Sequence, residues 1–178
     1  MSPKRRTKAE LIGELGLAFR REQNRNQAFD ERAAERLGIN LTDLRCIDII
    51  EQHAGESARP GADGDEARGI TAGELAAAAH LTTGAVTAVI DRLERAGYAR
   101  RVRDRVDRRR IRIELTPKAR RETAEIYGPR GWAFHRLFER YTVAELELVL
   151  DLIRRSAEVG ADELARLGER PERSDEGE

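Results

Sequence analysis

Between Thr71 and Leu115 the spacing of apolar residues changes once, and that change narrows the possible architectures more than any other feature of the 178 residues. From Thr82 to about Ala96, Val86, Val89, Ile90 and Leu93 recur three and four apart, which puts them on one stripe of a helix. From Arg110 the order becomes Arg110-Ile111-Arg112-Ile113-Glu114-Leu115, an alternation that gives a strand one face on a core and one in solvent. Tyr98 to Arg103 is a less regular partner, with Tyr98 and Val102 in phase and Arg101 and Arg103 pointing the other way; Asp104 to Arg108 forms the turn. A helix therefore runs directly into a two-stranded hairpin.

The helices around this hairpin are marked by local chemistry. Ile70-Thr71-Ala72-Gly73-Glu74-Leu75 holds a capping box, Thr71 with Glu74, and an apolar staple of Ile70 on Leu75. Tyr141-Thr142-Val143-Ala144-Glu145-Leu146 repeats it. Leu41-Thr42 opens a helix through about His53, its staple joining Leu41 to Cys46 as a core side chain, and Leu81-Thr82 opens another that Gly97 ends. Leu115-Thr116-Pro117 opens a fifth with proline in the first helical position, where its missing N–H costs nothing. An amphipathic stretch from Lys8 to Arg36 precedes them and needs a partner for its apolar side. Gly128-Pro129 predicts a kink or break before Trp132, Phe134, Leu137 and Phe138 resume the pattern.

Zero formal net charge conceals a segregation. From Thr82 to Arg121 thirteen Arg or Lys stand against five Asp or Glu, whereas Glu145 to Glu178 has eleven acids and five arginines. Eight of the thirteen residues from Arg100 to Arg112 are arginine, a density that repels itself unless something negative lies against it. Aromatic content of 4% argues against a large aromatic-lined enzyme pocket. Neither Ser/His/Asp order, phosphate loop nor carboxylate pair stands in a suitable context, so the reading is of a non-enzyme without metal or cofactor. Cys46 is the single cysteine, and His53, His80 and His135 are dispersed. No apolar run reaches the roughly 20 residues of a membrane span, and the N-terminal residues lack a signal-peptide pattern. The expectation is a cytoplasmic protein with no membrane partner.

Helix, turn, helix and hairpin in this order make a winged helix-turn-helix. The second helix of such a pair lies in the major groove with its N-terminal residues at base edges, and the first crosses the backbone. The expected DNA-binding residues are therefore Thr82, Thr83, Gly84, Thr87 and Arg92 on the second helix and Arg101, Arg103, Arg105, Arg108 and Arg109 on the hairpin. Threonines suit phosphates or base edges, Gly84 permits close backbone approach, and an arginine at the hairpin tip, Arg105, suits a narrow minor groove.

The run ELAAAAHLTTGAVTAVIDRLERAGYARR followed by DRVDRRRIRIELTPKAR, with its D-R-L-E-x-x-G helix end, Asp107-Arg108-Arg109 wing and Leu-Thr-Pro close, resembles the MarR family of winged-helix transcriptional regulators. The likeness covers Leu41 to about Arg121. It implies a homodimer, built by the first and last two helices, on a pseudo-palindromic double-stranded DNA operator, and control by a small ligand or by oxidation. Asp91 matches the family's acid that pairs with a wing arginine, here Arg109. Family members that sense peroxide carry a reactive cysteine in the first helix, and Cys46 is in the second. Tyr127, Trp132 and His135 line a pocket for an aromatic or phenolic effector or serve the core or dimer interface.

The expected fold is mainly α with a small β-hairpin wing. Residues 8–40 form an N-terminal dimerisation helix, 41–116 the winged module with a flexible loop at 54–69, 117–168 the C-terminal dimerisation helices and 169–178 a disordered tail. The function expected is that of a repressor; the alternative is a winged module for protein contacts or RNA, without operator specificity.

Overall fold

The computed structural model describes residues 6–57, 69–104 and 107–168. The elements are α1 (Lys8–Leu37), α2 (Leu41–Ser57), β1 (Ile70–Thr71), α3 (Ala72–Ala79), α4 (Thr83–Arg95), β2 (Ala99–Arg103), β3 (Ile111–Leu115), α5 (Pro117–Phe138) and α6 (Val143–Gly168). They fall into two compact units divided within α5, one up to Ile126 and one from Tyr127.

Caps decide where the helices of the first unit begin. Thr71 and Glu74 exchange the bonds of the capping box, the Thr71 N–H donating to Glu74 Oε2 at 2.8 Å and the Glu74 N–H to Thr71 Oγ1 at 3.2 Å. Those backbone and hydroxyl donors hold the Glu74 carboxyl below its usual range. The start of α2 differs from the sequence expectation: Asn40, not Thr42, is the cap, its Oδ1 accepting the Asp43 N–H at 2.8 Å. Leu41 thereby falls inside the helix and stays partly exposed, while Cys46 is fully buried. The helix also runs on to Ser57, four residues into the expected 54–69 loop; 58–68 and the 169–178 tail lie outside the described residues.

Three helices of this unit end alike. The N–H groups of Gly38 and Ile39, of His80 and Leu81, and of Gly97 and Tyr98 reach back to the last carbonyls of α1, α3 and α4. Each end needs a left-handed residue: Gly38 at φ 68°, Gly97 at φ 76° and, in the turn between α3 and α4, His80 at φ 54°.

The core is the apolar stripe of α4 set against α2, α3 and the sheet. Val86, Val89, Ile90 and Leu93 are buried, as the spacing predicts, with Leu44, Ile47, Ile50, Leu75, Ile113 and Leu115. The sheet has three strands in the order β1-β3-β2, all antiparallel, so the hairpin gains a two-residue strand on its far edge. Its register keeps the expected phase of β2, with Arg101 and Arg103 opposite to Val102, and settles which face is which. Arg101 pairs with Ile113 and Val102 with Arg112, so Arg101 shares the core-side face with Ile113, and Val102 lies on the outer face. Ile111 continues the alternation but is 55% exposed, because the wing extends past the edge of the core there.

In the second unit, helix α5 continues through Pro129, so of the expected kink or break the break does not occur. Thr142 and Glu145 form the expected capping box of α6. Leu148, Leu152, Ile153 and Val159 of α6 are exposed, as are Leu11, Ile12, Leu15 and Phe19 of α1 in the first unit.

Candidate nucleic-acid interface

The N-terminal end of α4 is built for contact from outside. Thr82 is the cap, its hydroxyl accepting the Ala85 N–H at 3.3 Å, and Thr83, Gly84, Thr87 and Ala88 are exposed in the first turns. Thr87 donates its hydroxyl to the Thr83 carbonyl at 2.9 Å, which leaves the Thr83 hydroxyl as the less committed of the two. A Cβ at Gly84 would meet nothing within 4 Å, so nothing inside the described residues requires a glycine there.

Arg92, expected at the interface, is turned inward. Its Nε and Nη2 fork onto the buried carboxylate of Asp43 at 2.6–3.2 Å, tying the first turn of α2 to α4. Hydrogen bonding to Asp43 raises the Arg92 guanidinium's affinity for its proton. Asp43 is the residue the sequence reading missed; an acid in a helix's first turn is too ordinary a feature to betray a buried ion pair.

The hairpin arginines separate by face and by distance from the core. On the core-side face Arg101 meets the outward side of α4: its Nη2 lies 2.7 Å from Asp91 Oδ1, its Nη1 bonds Glu94, and its backbone N–H donates to Glu94 Oε1 at 2.9 Å. This replaces the expected pair of Asp91 with Arg109. The register explains it: the paired residues end at Arg103 with Ile111, so Arg109, in the turn beyond them, stands farther out along the wing than Arg101. On the outer face Arg100 bonds Glu114 at 2.8 Å, and the largely buried Arg112 bonds Asp104 and the Gly69 carbonyl.

What remains is a group of cations toward the outer end. Arg103, Arg108 and Arg109 are exposed and have no acid partner among the described residues, and Arg110 is only 3.6 Å from the exposed Asp107. Arg105 lies outside the described residues. Beside Arg108, the backbone is held by carboxylates: the Asp107 N–H donates to Asp104 Oδ1 at 3.1 Å and the Arg109 N–H to Asp107 Oδ1 at 3.0 Å.

The base of the wing is fastened to both flanking helices. Thr116 donates to the Gly97 carbonyl at 2.7 Å and caps α5 through the Ala119 N–H, and Lys118 donates to the Ala96 carbonyl at 2.8 Å. Buried Tyr98 places its hydroxyl 2.8 Å from both the Leu37 carbonyl and Glu122, joining the end of α1 to the wing and α5.

In the second unit Trp132 and His135 come together on one side of α5, along a shallow groove completed by Gly131, Arg136 and Glu139. The Arg136 guanidinium lies 4.8 Å from the Trp132 ring centre, and His135 Nδ1 is 3.5 Å from Glu139. Tyr127 does not line this groove.

A capped helix pair, an open N-terminal end on its second helix and a cationic hairpin define a winged helix-turn-helix protein. A model of the MarR family matches residues 65–111. The uncharacterized HTH-type transcriptional regulator YcgE of Bacillus subtilis (strain 168) is 34% identical over 163 residues, which span 92% of this chain and 97% of that protein. Among solved structures, a mutant of MepR from a multidrug resistant S. aureus clinical isolate aligns with a TM-score of 0.62 at 17% identity over 82% of this chain and 96% of its own. A second S. aureus MepR mutant, bound to an oligodeoxyribonucleotide, aligns with a TM-score of 0.52 at 18% identity, again over 82% of this chain and 96% of its own. This chain belongs to the MarR family of transcriptional regulators and is not an enzyme.

Proposed function

We propose that the protein is a homodimeric repressor that sets the first turns of α4 in the major groove of double-stranded DNA and the outer wing in the neighbouring minor groove. One observation carries this reading: Arg103, Arg108 and Arg109 are exposed and without acid partners among the described residues, on the unit that also exposes Thr82, Thr83, Gly84 and Thr87. Cations so placed favour binding when they displace counterions from phosphates. Arg92 and Arg101 hold α4 and the wing in place, and Arg103, Arg108 and Arg109 make the contacts.

The exposed apolar side chains of α1 and α6 supply the dimer interface, and two-fold symmetry makes the operator a pseudo-palindrome with half-sites about 10 base pairs apart. Binding of a small aromatic or phenolic effector at the Trp132 and His135 groove weakens DNA binding. MepR, a structural neighbour of which one mutant was solved with an oligodeoxyribonucleotide, supports the DNA reading.

Selecting bound fragments from random duplexes tests it. Enrichment of one two-fold related sequence is expected. Recovery of no preferred duplex, or stronger retention of RNA than of any duplex, would overturn it.

A further inference from the structure

Arg112 is one of eight arginines in the stretch 100–112, yet its side chain is only 13% exposed and it pairs with Asp104, whose side chain is 4% exposed. Withdrawing both charges from water is costly and offsets much of their attraction, so burial of such a pair is weak evidence that it serves stability. Its geometry suggests what else it does. The Arg112 Nη1 donates to the Gly69 carbonyl at 2.8 Å while Nε bonds Asp104 Oδ2. The other oxygen, Asp104 Oδ1, accepts the Asp107 N–H at 3.1 Å, and Asp107 Oδ1 accepts the Arg109 N–H at 3.0 Å. A continuous run of hydrogen bonds thus leads from the sheet edge at Gly69 to the turn where Arg108 and Arg109 stand. Gly69 is fitted to this arrangement, because a Cβ there would come within 3.0 Å of the Arg112 Cβ, the Glu114 Cγ and the Ile113 carbonyl oxygen.

We infer that Arg112 is a positioning residue for DNA binding: by gripping Asp104 and the Gly69 carbonyl together it fixes the wing turn, and so the place at which Arg108 and Arg109 meet phosphate. This rests on the DNA-binding reading given above.

The test compares wild type, Arg112→Met, the double variant Arg108→Ala/Arg109→Ala and the combination of all three, on a duplex selected by the wild type and across a range of salt. Folding is checked by circular dichroism and melting. Arg112→Met should lose roughly tenfold in affinity and lower the salt slope by about 0.9 for each phosphate that is no longer neutralised. The combined variant should bind no more weakly than Arg108→Ala/Arg109→Ala, because the side chains that Arg112 positions are already gone. Without DNA, exchange of the Asp107 and Arg109 amide hydrogens should quicken in Arg112→Met. Should Arg112→Met fail to fold, Asp104→Asn is read by the same criteria, with a smaller loss. A folded variant with wild-type affinity, slope and amide exchange, or additive losses in the combined variant, overturns the inference. Wild type that binds no duplex overturns the DNA reading as well, whereas quickened exchange with unchanged affinity overturns the inference alone.

Discussion

Arg101 and Arg109 look alike in the sequence, and either could pair with Asp91. Which of them reaches α4 depends on strand register, and a run as rich in arginine as Arg100 to Arg112 does not reveal its register by composition. Pairing of Arg101 with Ile113 puts Arg101 on the face that meets α4. The double-mutant cycle should follow that geometry. In the free protein, Arg101→Ala and Asp91→Ala should each lower stability in denaturant melts and together cost less than the sum of the singles, while Arg109→Ala and Asp91→Ala should be additive. Coupling of Asp91 to Arg109 in those melts would contradict the register. Tyr98 offers a second check at this scale. Burial, and then the neighbouring Glu122, push its hydroxyl up to about 12 from 10.0. The folded chain therefore keeps the proton longer than the unfolded one, so the stability tied to Tyr98 is intact below pH 10 and is lost as pH rises from about 10 to about 12. Tyr98→Phe should cost about 1 kcal/mol at neutral pH, by denaturant melts, and should flatten that alkaline loss.

Elements were legible where their signals are local. Capping boxes at Thr71 and Thr142, the cap at Thr82 and the α4 stripe all lie within a few residues of one another, so sequence alone locates them. Signals that depend on distant pairing were not legible. Asn40 and Thr42 can both cap, so the choice between them is not local, and the two-residue β1 is too short to show a period. Asp43 and Asp104 read as surface acids until their arginines, 49 and 8 residues away, fold against them. The turn between α3 and α4 holds a conflict that the sequence also concealed. His80 adopts a left-handed conformation at φ 54°, where glycine ends the other two helices of the same design. His80→Gly should therefore stabilise the first unit, by up to about 1 kcal/mol, measured as a rise in melting temperature. A fall would mean that the His80 side chain contributes more than its backbone costs.

At the scale of the molecule, apolar exposure is what an isolated chain cannot sustain. Ile12 is 60% exposed on α1 and Leu148 70% on α6, amid further exposed leucines on each helix. Light scattering at micromolar concentration should give twice the chain mass, and a monomer there would remove the basis for a palindromic operator. The apolar side of α1 was visible in the sequence; what covers it was not, because a helix pattern shows an apolar side without its partner. The DNA-facing design is tested most directly by the salt dependence of duplex affinity in the Arg103→Ala/Arg108→Ala/Arg109→Ala variant. The salt slope should fall by about 0.9 for every phosphate these arginines neutralise, counted over both protomers, with the melting temperature of the free protein unchanged. A slope equal to that of the wild type would mean that the outer wing faces water in the complex and would contradict the account.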